Sequence, residues 1–282
     1  MIVAATDFSK DAANALRRAA LIAKRRSEPL TVMHVVSRPS LDALRDWVPP
    51  ETAERLVEDA RRLLAEAAGA AGMPAKAELA VGDVVDELLA ACQQSSLLVV
   101  GAHGLNPLRD AILGTTAERL VGRCKAPILV VRAEPQADYR NVLVALDLEA
   151  GSAALVEAAL RIAPAALIGG AHAYDVPFEG MLQRAGVGPQ AIDRHRIDAA
   201  RKARAEIESI GRAAGASAVV PIIERAHPAR HIVDSQRSFG ADLVVIGKRR
   251  RTALESVLLG SVTRHVLADA EADVLVLQAP AT

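Results

Sequence analysis

The feature that most constrains the fold is an internal repeat. Two glycines in the first half of the chain, Gly101 and Gly114, recur 146 positions later as Gly247 and Gly260. The segments around them also match, since SLLVVGAHG corresponds to DLVVIGKRR and LGTTAERLV corresponds to LGSVTRHVL. A constant offset across separate motifs is the signature of a duplicated structural unit. We therefore expect two copies of one domain.

The domain boundaries follow from the repeat and from the length of the chain. A chain of 282 residues is long for a single hydrophobic core and suits two. The join lies near AEPQADYR, a short polar run between two apolar segments. We place the first domain at residues 1–134 and the second at residues 140–282.

Each copy alternates short apolar runs with segments of helical period. The runs IVAATD, TVMHVV, SLLVV and APILVV of the first copy correspond to NVLVALD, ALIGGAHAY, DLVVI and ADVLVLQ of the second. Residues 11–26, 51–69, 86–94 and 193–214 are the main predicted helices. Apolar runs that are continuous rather than alternating are typical of strands buried on both faces. The pattern predicts an α/β fold, with a doubly wound parallel sheet covered by helices in each copy.

The composition argues against several functional classes. Lys and Arg together number 34, as do Asp and Glu, and aromatic residues make up 2% of the chain. This composition supplies neither a basic field nor a set of aromatic stacking surfaces, so we expect no nucleic-acid partner. No apolar run approaches the roughly 18 residues of a membrane span, and the N-terminal sequence shows no signal peptide. We expect a cytoplasmic protein that does not enter the membrane.

The two cysteines allow two interpretations. Cys92 and Cys124 lie 32 positions apart and belong to no Cys-x-x-Cys motif. In a reducing compartment the favoured interpretation is a pair of small, buried, apolar side chains. The alternative interpretation is a redox pair.

The stretch LLVVGAHGLNPLRDAILGTTAERLV carries the strongest functional signal. Gly101 ends a predicted strand and Gly104 follows three residues later, at the sheet edge where ligands gather in open α/β folds. Glycines there let backbone amides approach an anion. Thr115 and Glu118 form a capping-box pattern at the start of the next helix, whose free N–H groups favour phosphate. The spacing predicts a polyphosphate site, and the alternative is a tight strand–helix turn before an ordinary capped helix.

The motif Gly-x2-Gly-x9-Gly-[Ser/Thr] after a strand resembles that of the universal stress protein family, in its ATP-binding branch. TDFS after the first strand and HVV at the end of the second are also similar to that family, and the resemblance covers essentially the whole chain as two tandem copies. It implies five-stranded parallel sheets of the adenine-nucleotide alpha-hydrolase-like type. It also implies ATP as the ligand, accompanied by Mg or Mn.

The resemblance further implies roles for individual residues of the first copy. Asp7 would help to hold the adenosine, and Val35 would contact adenine through its backbone. His103, inside the loop, either touches the terminal phosphate or orients water there, or is an outward-facing loop residue. The residues assigned to the site are Asp7, Val35, Gly101, His103, Gly104, Gly114, Thr115 and Thr116.

The second copy departs from this motif at one position. Arg250 stands where the first copy has Gly104, and a side chain there costs about 1 kcal/mol or more if the backbone needs a positive φ. Either the second site has decayed into scaffold, or Arg250 and its basic neighbours bind an anion by charge. The candidate residues of this second site are Asp147, Gly247, Arg250, Gly260 and Ser261.

The sequence thus predicts a stress-response protein that binds ATP in its first domain and acts as a nucleotide-dependent regulator or interaction module. No paired carboxylates and no Ser/His/Asp arrangement mark a dedicated enzyme. Two alternatives stay open, a scaffold that binds no nucleotide and a slow ATP hydrolase. The resemblance also implies that the domains pair through LVV (129–131) and LVL (275–277) as a pseudo-dimer, and that two chains form a homodimer.

Overall fold

The computed structural model describes residues 1–45, 47–104, 115–174, 181, 184–185, 188–248 and 259–278. These described residues fall into two compact units. The first unit contains residues 1–138 together with Leu259 and 271–278, and the second contains residues 139–248 and 260–270. The last strand of the second copy therefore belongs to the first unit.

The first unit alternates strands with helices. Its elements are β1 (Ile2–Ala5), α1 (Lys10–Arg26), β2 (Leu30–Ser37), α2 (Arg38–Arg45), α3 (Pro50–Gly69), β3 (Ala75–Gly82), α4 (Val84–Gln93), β4 (Leu97–Gly101), α5 (Thr115–Arg123), β5 (Ile128–Val131) and β10 (Asp273–Gln278). Its strands lie in the order β3-β2-β1-β4-β5-β10. The first five run parallel, and β10 runs antiparallel to β5 with Leu275 opposite Leu129.

The second unit repeats this plan. Its elements are β6 (Asn141–Ala145), α6 (Ser152–Ile162), β7 (Leu167–Ala173), α7 (Pro189–Ala213), β8 (Val220–Glu224), α8 (Pro228–Phe239), β9 (Leu243–Lys248) and α9 (Ser261–Asp269). The strands are parallel in the order β9-β6-β7-β8. In the described part of the chain each copy supplies five strands, so the predicted α/β fold built on tandem parallel sheets is confirmed. Among the described residues, no helix has both the length and the apolar character that crossing a membrane requires.

Helix α1 lies close against the sheet because the residues facing it are small. Ala15, Ala19 and Ala23 are fully buried and lie one helical turn apart, and the helix contacts β1 and β4. Its start is fixed by Ser9, whose Oγ accepts a hydrogen bond from the N–H of Ala12 at 3.1 Å. This packing brings the first turn of α1 to the carboxyl end of β4.

A buried ion pair joins α1 to β10. The Arg18 Nε lies 3.4 Å from Asp273 Oδ2, and both side chains are almost fully buried. The other carboxylate oxygen of Asp273 accepts the backbone N–H of Arg132 at 2.8 Å and that of Ala133 at 3.3 Å. The Arg18 guanidinium also donates to the carbonyl of Ala137 at 2.7 Å. These bonds satisfy charges that would otherwise be costly to bury.

The two cysteines are joined by a disulfide bond, and their Cα atoms are 6.4 Å apart. Only 1% of Cys92 and 2% of Cys124 is exposed, so burial was correctly predicted. The favoured interpretation of two unlinked side chains is wrong. Helix α4 packs against α5, and this contact brings together two sulfur atoms that are far apart in the sequence.

Candidate functional site

The strand order places a crevice at the carboxyl ends of β1 and β4. The chain runs from β1 outward through β2 and β3, then crosses to β4 on the other side of β1. Such a switch point is where ligands bind in open α/β sheets. A cavity of about 260 Å³ lies there, lined by residues of β1, β2 and β4 and of helices α1, α4 and α5.

The turn after β1 carries Asp7 to the cavity. Phe8 has a φ of 67°, in the left-handed region that non-glycine residues seldom adopt. Two hydrogen bonds hold the turn, from Phe8 N–H to Thr6 Oγ1 and from Ser9 N–H to Asp7 Oδ1, each of 3.0 Å. A strained residue that its surroundings hold in place is a common feature of binding sites.

The two described glycines of the loop leave room for this turn and for α1. A Cβ atom on Gly101 would lie 2.9 Å from the backbone carbonyl carbon of Asp11. A Cβ atom on Gly104 would lie 2.9 Å from the Asp7 Oδ2. Both distances are shorter than any van der Waals contact, so a side chain at Gly101 would displace backbone, whereas one at Gly104 would meet the Asp7 carboxylate.

His103 lies between these glycines and borders the cavity. Its Nδ1–H donates to Asp11 Oδ2 at 3.0 Å, and about 31% of its side chain is exposed. Because the carboxylate holds Nδ1, the Nε2 atom is the ring nitrogen left for a ligand or for water. Asp11 was not assigned to the site from sequence.

The second strand contributes a packed histidine and a free backbone edge. The Nδ1–H of His34 donates to the carbonyl of Thr6 at 2.7 Å, and its ring centroid is 4.4 Å from that of Phe8. The last rung between β1 and β2 joins Thr6 N–H to the carbonyl of Met33 at 2.9 Å. Alternate residues of a parallel strand direct their peptide groups to the same side. The peptide groups of Val35 therefore face the same side as those of Met33, toward the space beyond the end of β1.

Helix α5 closes the cavity opposite the glycine loop. It begins at Thr115, and Thr115 and Thr116 are exposed at the cavity rim. The N–H groups of a first helical turn have no partner within the helix and carry a partial positive charge. Gly114 lies outside the described residues. Thr115, which was predicted to cap this helix, is instead its first residue.

The second copy keeps the turn but uses its carboxylate differently. Leu148 has a φ of 62°, like its counterpart Phe8, and His172 Nδ1–H donates to the carbonyl of Leu146 at 2.8 Å. Asp147 is exposed, and its Oδ1 accepts Ser152 Oγ–H at 3.0 Å and Glu149 N–H at 3.1 Å.

The other residues predicted for a second site are only partly described. Gly247 lies in β9, Gly260 is the N-cap of α9 and Ser261 is the first residue of that helix. Among the residues that the structure describes, no side chain caps α9. Arg250 lies outside the described residues.

The site residues that sequence reasoning missed come from packing rather than from motifs. Asp11 reaches the loop because it is the second residue of α1, whose first turn packs against the carboxyl end of β4. His34 is a packed, hydrogen-bonded residue of β2. Its recurrence as His172, with the same bond to the preceding strand end, was the available signal for its structural role.

Comparison with known proteins yields a consistent set of similarities. The model of the Universal stress protein family matches residues 1–132 and again residues 138–278. A universal stress protein of Mycolicibacterium smegmatis is 28% identical, covering 98% of this chain and 96% of that protein. Universal stress protein Rv2623 of Mycobacterium tuberculosis is 29% identical, covering 98% and 95%. The crystal structure of a universal stress protein from Archaeoglobus fulgidus is 19% identical, with a TM-score of 0.69 over 98% of this chain and 97% of that one, and supports the fold.

Proposed function

This chain belongs to the universal stress protein family, and from that premise we propose that its first copy binds ATP and acts as a nucleotide-dependent regulator in a stress response. The observation that carries the proposal is that the assigned residues, although far apart in the sequence, lie together in the structure. Seven of the eight residues assigned to the site by motif come from four separate segments and line one cavity. The eighth, Gly114, lies outside the described residues.

The phosphates would lie between the glycine loop and α5. Backbone amides of the loop and of the first turn of α5 would supply hydrogen bonds, and the hydroxyls of Thr115 and Thr116 would add two more donors. The helix dipole favours the same charge. The adenosine would lie toward β1 and β2, with the backbone edge of Val35 facing adenine and the carboxylate of Asp7 accepting hydrogen bonds from the ribose.

We expect Mg or Mn to enter only as part of a nucleotide complex. Within the described part of the chain, no group of three His, Cys, Asp or Glu side chains is placed to hold a metal ion. Magnesium usually binds through one or two carboxylates together with substrate phosphates. A cation here would therefore depend on phosphate oxygens for most of its ligands.

The test is an ATP titration by calorimetry with two matched glycine variants. Gly104→Arg gives the first copy the residue of the second, and we expect it to lower ATP affinity more than tenfold, because the side chain meets Asp7. Gly260→Arg adds the same charge to the second copy, where a Cβ meets no atom of the described residues within 4 Å, and should leave affinity unchanged. Equal affinities of wild type and Gly104→Arg would refute the site. Mass spectrometry of any small molecule released by denaturation would identify a bound nucleotide directly.

The regulatory part of the proposal concerns the loop between the two phosphate-binding elements. Nucleotide occupancy would fix the relation between Gly104 and Thr115 and hence the surface that a protein partner reads. We expect ATP to slow hydrogen exchange in the segment from Gly101 to Thr116. An exchange pattern that ATP leaves unchanged would favour the scaffold alternative, in which partner binding needs no nucleotide.

A second candidate activity, slow ATP hydrolysis, is favoured by the His103–Asp11 pair. With Nδ1–H held by Asp11, the Nε2 atom of a neutral His103 is free to accept a proton from a water that attacks the terminal phosphorus. Phosphate release by wild type, and its loss in His103→Gln with ATP binding retained, would support this activity. Phosphate release by wild type that equals release by Gly104→Arg would exclude this activity.

A further inference from the structure

The disulfide joins the two helices that form one wall of the cavity. Cys92 is in the last turn of α4, and Cys124 directly follows α5. The opposite ends of these helices line the cavity, with Val84 and Leu88 on α4 and Thr115 on α5. At 1.5 Å per residue, the bond lies roughly 12 Å along each helix from the cavity rim.

The helix pair does not need the bond to stay together. Arg123 Nη2 lies 3.0 Å from Asp86 Oδ1, which links α5 to α4 a second time. The second copy shows the same arrangement without cysteine, because α8 packs against α9. At an offset of 146, its residues are Ser238 and Ala270. The second copy therefore shows that this helix arrangement forms without a crosslink.

We propose that Cys92 and Cys124 form a reversible thiol–disulfide site that takes peroxide as its oxidant, and that its state controls the first turn of α5. A thiolate attacks hydrogen peroxide, which forms an S–O bond, breaks the O–O bond and releases hydroxide, which takes up a proton to become water. The second thiol attacks the resulting sulfenic acid, which forms the S–S bond and releases water. Two thiols and one peroxide thus give one disulfide and two waters, and a dithiol reductant reverses the change.

Burial selects the kind of oxidant. Only 1% of Cys92 and 2% of Cys124 is exposed. A bulky disulfide oxidant therefore cannot reach the sulfur atoms unless the end of the helix opens. A small neutral molecule such as hydrogen peroxide needs a much smaller opening. We therefore expect oxidation within minutes to hours by peroxide and slower reaction with oxidised glutathione.

The coupling to the cavity follows from the rigidity of helices. When the bond is closed, α4 and α5 are held in the relation that forms the cavity wall. When it is open, we expect non-covalent contacts such as the Arg123–Asp86 ion pair to hold the helices, and the first turn of α5 to sample a wider range of positions. Since this part of the inference uses the ATP site, it rests on the proposed function, and we expect ATP to bind about fivefold more tightly to the oxidised protein.

The experiment compares peroxide-treated and dithiothreitol-treated protein with the double variant Cys92→Ser, Cys124→Ala, which copies the second unit. Peptide mapping and thiol alkylation report the bond, hydrogen exchange reports the amides of residues 115–117, and calorimetry reports ATP affinity. We expect the bond to form and open reversibly, slower exchange when it is closed, and a double variant that behaves like reduced protein under both treatments.

The outcomes separate this inference from the proposed function. Thiols that peroxide leaves unpaired, or a bond that dithiothreitol does not open in the folded protein, would overturn it. Equal exchange at residues 115–117 and equal ATP affinity in the two states would also overturn it, with ATP binding intact. If ATP binds neither state but exchange still follows the bond, the thiol site stands and the proposed nucleotide site falls.

Discussion

The two copies share a scaffold and differ in what their strand ends carry. In both, a histidine of the second strand donates to the carbonyl at the end of the first, and the residue after the aspartate has a positive φ. In the first copy Asp7 faces Gly104, whereas in the second copy Asp147 accepts a hydrogen bond from Ser152, the first residue of the following helix α6. The comparison teaches that the turn is part of the fold in both copies, whereas the contacts of its aspartate depend on the residues around it.

The largest effect we expect concerns the aspartates that tie each unit together at a strand start. Asp273→Ala should lower the free energy of unfolding of the first unit by about 3–5 kcal/mol, because it leaves Arg18 buried without its partner. Asp242 accepts the N–H groups of Arg140 and Asn141 in the second unit at 2.8 and 3.1 Å but forms no ion pair with a buried arginine among the described residues. Asp242→Ala should cost only about 1 kcal/mol, as for a lost cap. Urea unfolding followed by hydrogen exchange measures the loss of stability in each variant and assigns it to a unit. Equal losses in the two variants would contradict the expected difference between Asp273 and Asp242.

The next effect tests the aspartates after the first strand of each copy. Asp7→Asn keeps the size of the side chain and the oxygen that accepts Ser9 N–H, but removes the charge that would face ribose. We expect ATP affinity to fall by about 1.5–3 kcal/mol, the usual contribution of a hydrogen bond to a charged group. Asp147→Asn should leave affinity unchanged, since its carboxylate is engaged locally. Calorimetric titration with ATP measures the affinity of both variants. A loss of affinity in both would show that the second copy also binds ATP.

A smaller effect tests the His103–Asp11 pair, which the second copy lacks. At the matching helical position it has Ala153. Asp11→Ala should weaken ATP binding by about 1 kcal/mol, because His103 loses the partner that orients its ring. Ala153→Asp, the reverse change in the second copy, should have no effect on affinity. Unchanged binding in Asp11→Ala would show that the orientation of the His103 ring does not contribute to ATP affinity.

The alternation of strands and helices was predictable from sequence because buried strands are continuous apolar runs. The outermost strands β3 and β8 had no such signal, since their residues are half-exposed and β8 contains Pro221. The short helix α2 was also missed, because Pro39 near its start reads as a turn signal. Edge strands carry a weaker pattern because only one neighbour and part of one face constrain them.

The candidate site was predictable where one backbone segment carries the chemistry, and not where two elements must meet. The glycine loop and the first turn of α5 follow from spacing alone. The Asp11 contact and the disulfide depend on how α1 packs on β4 and how α4 packs on α5. Sequence spacing has no information on such contacts, because it does not encode the angle or separation of the packed helices.

The smallest effect we expect is a pH dependence confined to the first unit. Glu28 accepts hydrogen bonds from Ser96 Oγ and from the amino group of Met1 and forms an ion pair with Arg26. Partial burial raises the pKa of Glu28, but these hydrogen bonds and the positive charges outweigh it and lower the pKa below its ordinary value. A lowered pKa in the folded state means that this stabilisation is complete above the unfolded pKa of about 4.3 and is lost as the pH falls through the folded value.

The second copy has Ala165 at the position that precedes its second strand by two residues, so it has no counterpart of this carboxylate. We expect Glu28→Gln to destabilise the first unit by less than about 1 kcal/mol near pH 7, as for a partly exposed ion pair. The difference between wild type and variant should shrink as the pH falls from about 4.3 through the lower folded-state pKa of Glu28, because the carboxylate is protonated first in the unfolded and then in the folded protein. Urea midpoints of the first unit measured from pH 7 to pH 3.5 test this, and a difference that stays constant over that range would show that the charge of Glu28 contributes nothing to stability.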